Sequence, residues 1–225
     1  MNPSILRCSA TSVITCRILE AMGMWVGSSN VPTMHLLWAF EEVQAAIRQV
    51  AKSIDDLYSE NQAVNLVPVL TGAMPFCSGL AMELERLTPG KWCIVPVFVS
   101  TYLDDGLVRE PMIEFPGKFN ESIEPHSPVV IIDDLLDTGT TMGHLVQEFK
   151  RGGFAEVAVC VLVDKPSARN NDLSPDFCAL VSDSDAWLVG YGMDTEKRYR
   201  ALDGIYTLNP PPSQPDQKQL DFQID

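Results

Sequence analysis

Between His35 and Tyr58 the apolar residues Leu36, Phe40, Val43, Ile47, Val50, Ile54 and Leu57 recur at intervals of three and four. That period places them on one face of a helix, so the spacing predicts an amphipathic helix over the whole stretch. Shorter, unbroken apolar runs follow. Val64 to Leu70 predicts a buried strand, and Ala73 to Leu87 returns to a helical pattern after a turn at Gly72. Trp92 to Tyr102 alternates β-branched and aromatic residues and predicts a further strand. Val129 to Ile132 is a third apolar run, followed by an acidic, glycine-bearing turn from Asp133 to Thr141 and a helix to about Lys150. Gly152 and Gly153 stop that helix, and Val157 to Val163 forms the next strand, ending in Asp164-Lys165-Pro166. Strand, helix and strand in succession require a crossover, hence an α/β fold with a central parallel β-sheet flanked by helices.

The patterning also divides the chain. Residues 33–208 form the expected domain, with a small hood subdomain from about 167 to 208 built on strand-like pieces at Ala179–Val181, Trp187–Gly190 and Ile205–Leu208. Residues 103–127 hold Asp104, Asp105, Gly106, Pro111, Pro116, Gly117 and Pro125 and are too long for a mere connector, so a mobile flap is expected there. Residues 1–32 show weak periodicity and no motif; they are expected to be a dispensable extension, with Met22, Met24 and Met34 as alternative starts. The segment 209–225 contains Pro210, Pro211, Pro212 and Pro215, lacks core-forming residues and is expected to be disordered.

Composition narrows the partners. Thirty acidic against sixteen basic residues in 225 give a net charge of −14, which repels phosphate backbones and anionic lipid, so neither nucleic acid nor membrane is an expected partner. A small anion is compatible with that charge, because lysines, backbone amides and a divalent cation reverse the field inside a cleft. The six cysteines, Cys8, Cys16, Cys77, Cys93, Cys160 and Cys178, show no CxxC spacing, which suits a reducing, cytoplasmic setting. Arg17 and Glu20 interrupt the apolar stretch Val13 to Val26, so neither signal peptide nor membrane span is expected. His35, His126 and His144 have no metal-ligand spacing.

In an open parallel sheet, ligands sit beyond the carboxyl ends of the strands. The run Val129-Val130-Ile131-Ile132-Asp133-Asp134-Leu135-Leu136-Asp137-Thr138-Gly139-Thr140-Thr141 places three carboxylates and three hydroxyls at such an end. Its turn feeds a helix whose unpaired N–H groups favour an anion, with Gly139 permitting close backbone approach: a phosphate cradle. Asp133 and Asp134 repel that phosphate and suit neutral donors such as vicinal ribose hydroxyls, directly or through a hydrated divalent cation. A solvated strand end, or the acidic magnesium pocket of a receiver domain, is the alternative reading of the two acids taken singly. Likewise Lys165 alone fits a snorkelling surface lysine, and Trp187 alone fits a core residue.

The thirteen-residue run resembles the phosphoribosyl pyrophosphate (PRPP) signature of the type I phosphoribosyltransferases. Val67-Pro68-Val69-Leu70-Thr71-Gly72-Ala73 resembles the pyrophosphate loop of the hypoxanthine-guanine branch, and Ser100-Thr101-Tyr102 the start of its mobile loop. Asp164-Lys165-Pro166-Ser167, Pro175-Asp176-Phe177, Asp185 to Asp194 and Arg198-Tyr199-Arg200 follow in the family's order, so the resemblance spans roughly residues 35–208. It implies that Asp133 and Asp134 hold the ribose hydroxyls of PRPP, that Thr138, Gly139, Thr140 and Thr141 bind its 5′-phosphate, and that Asp137 faces the purine N7 as general base or hydrogen-bond acceptor. Leu70, Thr71 and Gly72 would bind pyrophosphate together with Arg200. Lys165 would donate to the 6-oxo group, Trp187 stack on the base, and the Leu188 backbone contact its edge. Magnesium (Mg2+) would lie at Asp194, Asp133 and Asp134. The implied reaction joins PRPP and a 6-oxopurine, hypoxanthine or guanine before xanthine, in a purine-salvage enzyme that is a homo-oligomer, dimer or tetramer. A PRPP-binding regulatory protein without catalysis is the alternative. Three positions depart from the family's pattern: Thr71 and Ala186 stand where lysine is frequent, and Leu103 where glycine is.

Overall fold

In the computed structural model of the chain, the described residues are 33–100, 103–104, 107–108 and 111–209. The expectations for residues 1–32, for Thr101 and Tyr102 and for 210–225 lie outside them. Twelve strands are described: β1 (Thr33–Trp38), β2 (Val64–Leu70), β3 (Trp92–Ile94), β4 (Val97–Ser100), β5 (Leu103–Asp104), β6 (Leu107–Val108), β7 (Met112–Glu114), β8 (Val129–Leu136), β9 (Val157–Asp164), β10 (Phe177–Val181), β11 (Trp187–Val189) and β12 (Ile205–Asn209). Between them run α1 (Phe40–Leu57), α2 (Met74–Leu87), the single turn α3 (Phe119–Ser122) and α4 (Thr140–Arg151).

The main sheet has the order β10-β9-β8-β2-β4-β7. Its strands are parallel except β7, which pairs antiparallel with β4. A parallel sheet is covered on both faces, so its central strands carry apolar side chains in both directions. β8 shows this: Val130 and Ile132 pack with α1 and α2, while Val129 and Ile131 pack with α4 and α3. β9 repeats the division, with Ala158, Cys160 and Leu162 on the first face and Val159 and Val161 on the second. Each such fully buried aliphatic side chain contributes about 1.5–3 kcal/mol relative to exposure. Buried Asn65 on β2 is satisfied by the residue 124 backbone: its amide donates to Glu124 O at 3.0 Å and its Oδ1 accepts from Glu124 N at 2.8 Å. That pair ties the end of the 103–127 segment to the central strand.

Several elements differ from the sequence expectation. The helix expected from His35 begins only at Phe40; residues 33–38 are instead an edge strand paired antiparallel with β12. Leu36 matches the helical period but is 49% exposed in β1, because a strand pairing with residues more than 160 positions away overrides local periodicity, while Phe40, 44% exposed, is the first residue of α1. The strand expected over 92–102 is two strands, since Val95-Pro96 interrupts the ladder, and both pieces pair with β2. The acidic turn starts later than expected: Asp133 and Asp134 belong to β8, whose pairing with β9 continues to Leu136. The strands expected together in a hood from about residue 167 divide between two sheets. β10 joins the main sheet beside β9, whereas β11 and β12 pair with β1 in a separate antiparallel sheet, order β1-β12-β11. Asn209, placed at the start of the tail, closes β12.

Candidate active site

Beyond Leu136 the chain turns through Asp137, Thr138 and Gly139 into α4. Gly139 has φ 81°, a left-handed conformation that strains any side chain, and a Cβ there would stand 2.6 Å from Asn171 Oδ1 and 2.7 Å from Arg169 Cδ. The Thr138 and Thr140 hydroxyls lie 3.3 Å apart at the helix start, where the first N–H groups have no intrahelical partner. On the neighbouring strand, β2 ends at Leu70 and continues through a cis Leu70–Thr71 peptide bond to Gly72. A Cβ on Gly72 would collide with the Asp134 carboxylate, and one on Gly192 would collide with the Gly72 carbonyl. Three segments distant in sequence therefore meet here, Gly192 against the Gly72 backbone and Gly72 against the Asp134 side chain.

Around that meeting point lies a cavity of about 780 Å³. Its wall includes Leu70, Thr71 and Gly72 after β2, Asp133, Asp134 and Asp137 after β8, and Lys165 after β9. Trp187, Leu188, Asp194 and Arg200 close the other side. Thr138, Gly139, Thr140 and Thr141 are not in the wall; they adjoin it through Asp137. Lys165 is buried, and its Nζ donates to Ala186 O at 3.2 Å. Trp187 is 44% exposed, with its indole N–H held by Asp194 O at 3.2 Å. Lys165 is thus no surface lysine and Trp187 no core residue. Leu188 is buried and pairs with Thr207 of β12. Asp194 Oδ1 pairs with Arg200 Nη2 at 2.7 Å, Asp194 Oδ2 accepts from Lys197 N at 2.6 Å, and Arg200 Nη1 donates to Gly192 O at 2.6 Å.

Burial pushes the Asp133 carboxyl well above the usual carboxylate range, and the adjacent negative charge of Asp134 pushes it further. Asp134 is also raised by burial, opposed by its hydrogen bond with Asp133 and by the Arg200 cation. Two carboxylates that repel each other out of water favour a hard cation or several hydroxyl donors between them. Among the described residues no three His, Cys, Asp or Glu side chains converge to hold a metal by themselves. The hard carboxylate oxygens of Asp133, Asp134 and Asp194 in the cavity wall fit a magnesium ion that keeps water and phosphate oxygens as its remaining ligands.

Sequence reasoning missed Arg169, Asn170, Asn171 and Lys197. Lys197 joins the cavity wall, and Arg169 to Asn171 pack against the Asp137–Thr140 turn. They sit in turn-rich stretches with no periodicity, and only the fold brings them to the strand ends.

Such a cleft, at the carboxyl edge of a parallel sheet with acids on one strand and a helix start beside them, defines an α/β protein with its candidate ligand site at the strand ends. The sequence model of the phosphoribosyl transferase domain matches residues 39–196, and the chain belongs to that family. It is 29% identical over 170 residues to the hypoxanthine-guanine phosphoribosyltransferase of Bacillus subtilis (strain 168), covering 76% of this chain and 90% of the relative. A relative of the same name from Mycobacterium avium is 29% identical over 180 residues, covering 78% and 85%. Among solved structures, a hypoxanthine phosphoribosyltransferase from Trypanosoma cruzi, determined as a ternary substrates complex, superposes with a TM-score of 0.68 at 28% identity. That match covers 78% of this chain and 95% of the other. The Staphylococcus aureus hypoxanthine phosphoribosyltransferase gives 0.69 at 26% identity, covering 78% and 91%.

Proposed function

We propose that the chain transfers the phosphoribosyl group of PRPP to a ring nitrogen of a 6-oxopurine, hypoxanthine or guanine before xanthine, releasing pyrophosphate. The observation that carries the reading is the single cavity in which Asp133, Asp134 and Asp137 face Leu70–Gly72 on one side and Lys165 and Trp187 on the other. Asp133 and Asp134 accept hydrogen bonds from the ribose hydroxyls, and the N–H and hydroxyl groups of Thr138, Gly139, Thr140 and Thr141 hold the 5′-phosphate. Leu70, Thr71 and Gly72 present backbone to the pyrophosphate, with Arg200 as its cation. Lys165 Nζ only donates, so it accepts a 6-oxo group and rejects a 6-amino group. Trp187 stacks on the purine, its plane fixed by the bond to Asp194 O. Asp137 accepts the purine proton as the C1–nitrogen bond forms and the bond from C1 to pyrophosphate breaks. Asp194, Asp133 and Asp134, together with substrate phosphates, would hold magnesium, which would supply neutralisation of the leaving charge.

The exposed Met74 and Met82 on α2 and Ile94 on β3 supply apolar surface for the homo-oligomer, dimer or tetramer, that belongs to this reading; light scattering on the purified chain tests it. The catalytic reading is tested by a spectrophotometric nucleotide-formation assay with PRPP, magnesium and, separately, hypoxanthine, guanine, xanthine and adenine. Product with a 6-oxopurine and none with adenine is expected. Saturable PRPP binding without product from any base would instead identify a PRPP-binding regulator.

A further inference from the structure

The Arg169 side chain is 9% exposed, and its guanidinium spends its donors on three backbone carbonyls and one carboxylate. Nε donates to Asp137 O at 2.7 Å and Nη2 to Leu136 O at 3.1 Å, while Nη1 donates to Leu173 O. Nη2 also pairs with Asp164 Oδ1, at the end of β9 and next to Lys165. The following residue continues the series: Asn170 N donates to Thr138 O at 3.2 Å, and Asn170 Nδ2 reaches Thr140 Oγ1 at 3.3 Å. Lys165 N adds a second bond to Leu136 O at 3.0 Å.

Three consecutive carbonyls, those of Leu136, Asp137 and Thr138, are therefore drawn to one side by Arg169, Asn170 and Lys165. In a trans peptide the carbonyl and the next N–H point in opposite directions. Holding those carbonyls turns the N–H groups of Asp137, Thr138 and Gly139 the other way. Successive amides aimed to one side make an anion-binding concavity, and here it opens at the N-terminus of α4. We propose that Arg169 is a positioning residue: anchored by Asp164, it clamps the Leu136 and Asp137 carbonyls so that the Asp137 and Thr138 amides, continued by that of Gly139, are pre-aligned for the 5′-phosphate. It touches no substrate. The proposal rests on the reading of that turn as a phosphate site. It also links the two halves of the cavity, because Asp164 fixes the clamp one residue before the base-recognising lysine.

The fork geometry decides the test. Lysine at position 169 keeps the charge opposite Asp164, but its three donors on one nitrogen cannot reach the three carbonyls and the carboxylate that the guanidinium fork spans. Arg169→Lys is expected to keep a near-native melting temperature while its affinity for ribose 5-phosphate, read by calorimetry, falls roughly ten- to hundredfold; KM for PRPP rises in parallel and KM for the purine is little changed. Unchanged ribose 5-phosphate binding in Arg169→Lys would overturn the proposal, as would equal losses of phosphate and purine affinity. Asp164→Asn removes the anchor and is expected to show the same selective loss, which keeps the proposal testable if Arg169→Lys does not fold. Absence of saturable ribose 5-phosphate and PRPP binding by the wild type would overturn the phosphate reading itself, whereas wild-type binding matched by the variants overturns the clamp alone.

Discussion

Asp194 Oδ1 stands 2.7 Å from Arg200 Nη2, so the carboxylate proposed for the metal and the cation proposed for pyrophosphate hold each other. Both side chains are partly exposed, at 25% and 30%, and an ion pair in such a place contributes at most about 1 kcal/mol to stability. Opening it to admit a metal-bound pyrophosphate is therefore cheap. Arg200→Gln is expected to leave the melting temperature within a few degrees of wild type, as read by scanning fluorimetry. Its kcat/KM for PRPP should fall roughly ten- to hundredfold, the scale of one charge-assisted hydrogen bond.

Asp133 pits function against stability. Its carboxyl is raised by burial and by Asp134, so the folded state is favoured with the group protonated. That contribution is complete below the ordinary carboxylate pKa near 3.8 and is lost as pH rises through the raised folded value. At neutral pH, Asp133→Asn should therefore raise the melting temperature of the ligand-free protein by about 2–4 °C, equivalent to roughly 1 kcal/mol, while lowering kcat/KM. Thermal melts at pH 5 and pH 8 check the sign: the gain should be larger at pH 8.

Asp137 lies in the cavity wall, and the proposed reaction uses it as the base. Asp137→Asn should lower kcat by roughly a hundredfold or more while changing the PRPP dissociation constant little. Equal losses in both, measured by steady-state kinetics and calorimetry, would remove it from that role.

Lys165 offers hydrogen only, whereas glutamine both donates and accepts. Lys165→Gln should lower the ratio of kcat/KM for hypoxanthine to that for adenine by at least about tenfold. The same nucleotide-formation assay with each base reads the ratio directly.

Gly72 touches the Asp134 carboxylate. Gly72→Ala should displace that acid and raise KM for PRPP, with a stability loss of about 1–3 kcal/mol from overpacking. Calorimetric PRPP titration and a melting curve separate the two effects.

Local signals in the chain were sufficient for the parallel sheet and for the contiguous part of the candidate site. Val64–Leu70, Val129–Ile132 and Val157–Val163 are apolar on both faces because helices cover both, and the Asp137–Thr141 turn is legible because acids, hydroxyls and glycine are contiguous. Lys165 and Trp187 were legible through the order of motifs, not through their own surroundings. What local patterning lacked was any partner distant in sequence. Thr33–Trp38 is a strand because β12 pairs with it, and β10 belongs to the main sheet because β9 lies beside it. The Arg169 clamp and the close approach of Gly192 to Gly72 likewise exist only once strand ends from four parts of the chain are brought together. The sequence by itself determined which carboxylates, hydroxyls and donors the candidate site has to offer, since those capacities belong to side chains and contiguous turns. Only the tertiary structure decided which peptide planes face the cleft and which charges pair across it, because both are set by contacts between segments that share no local signal.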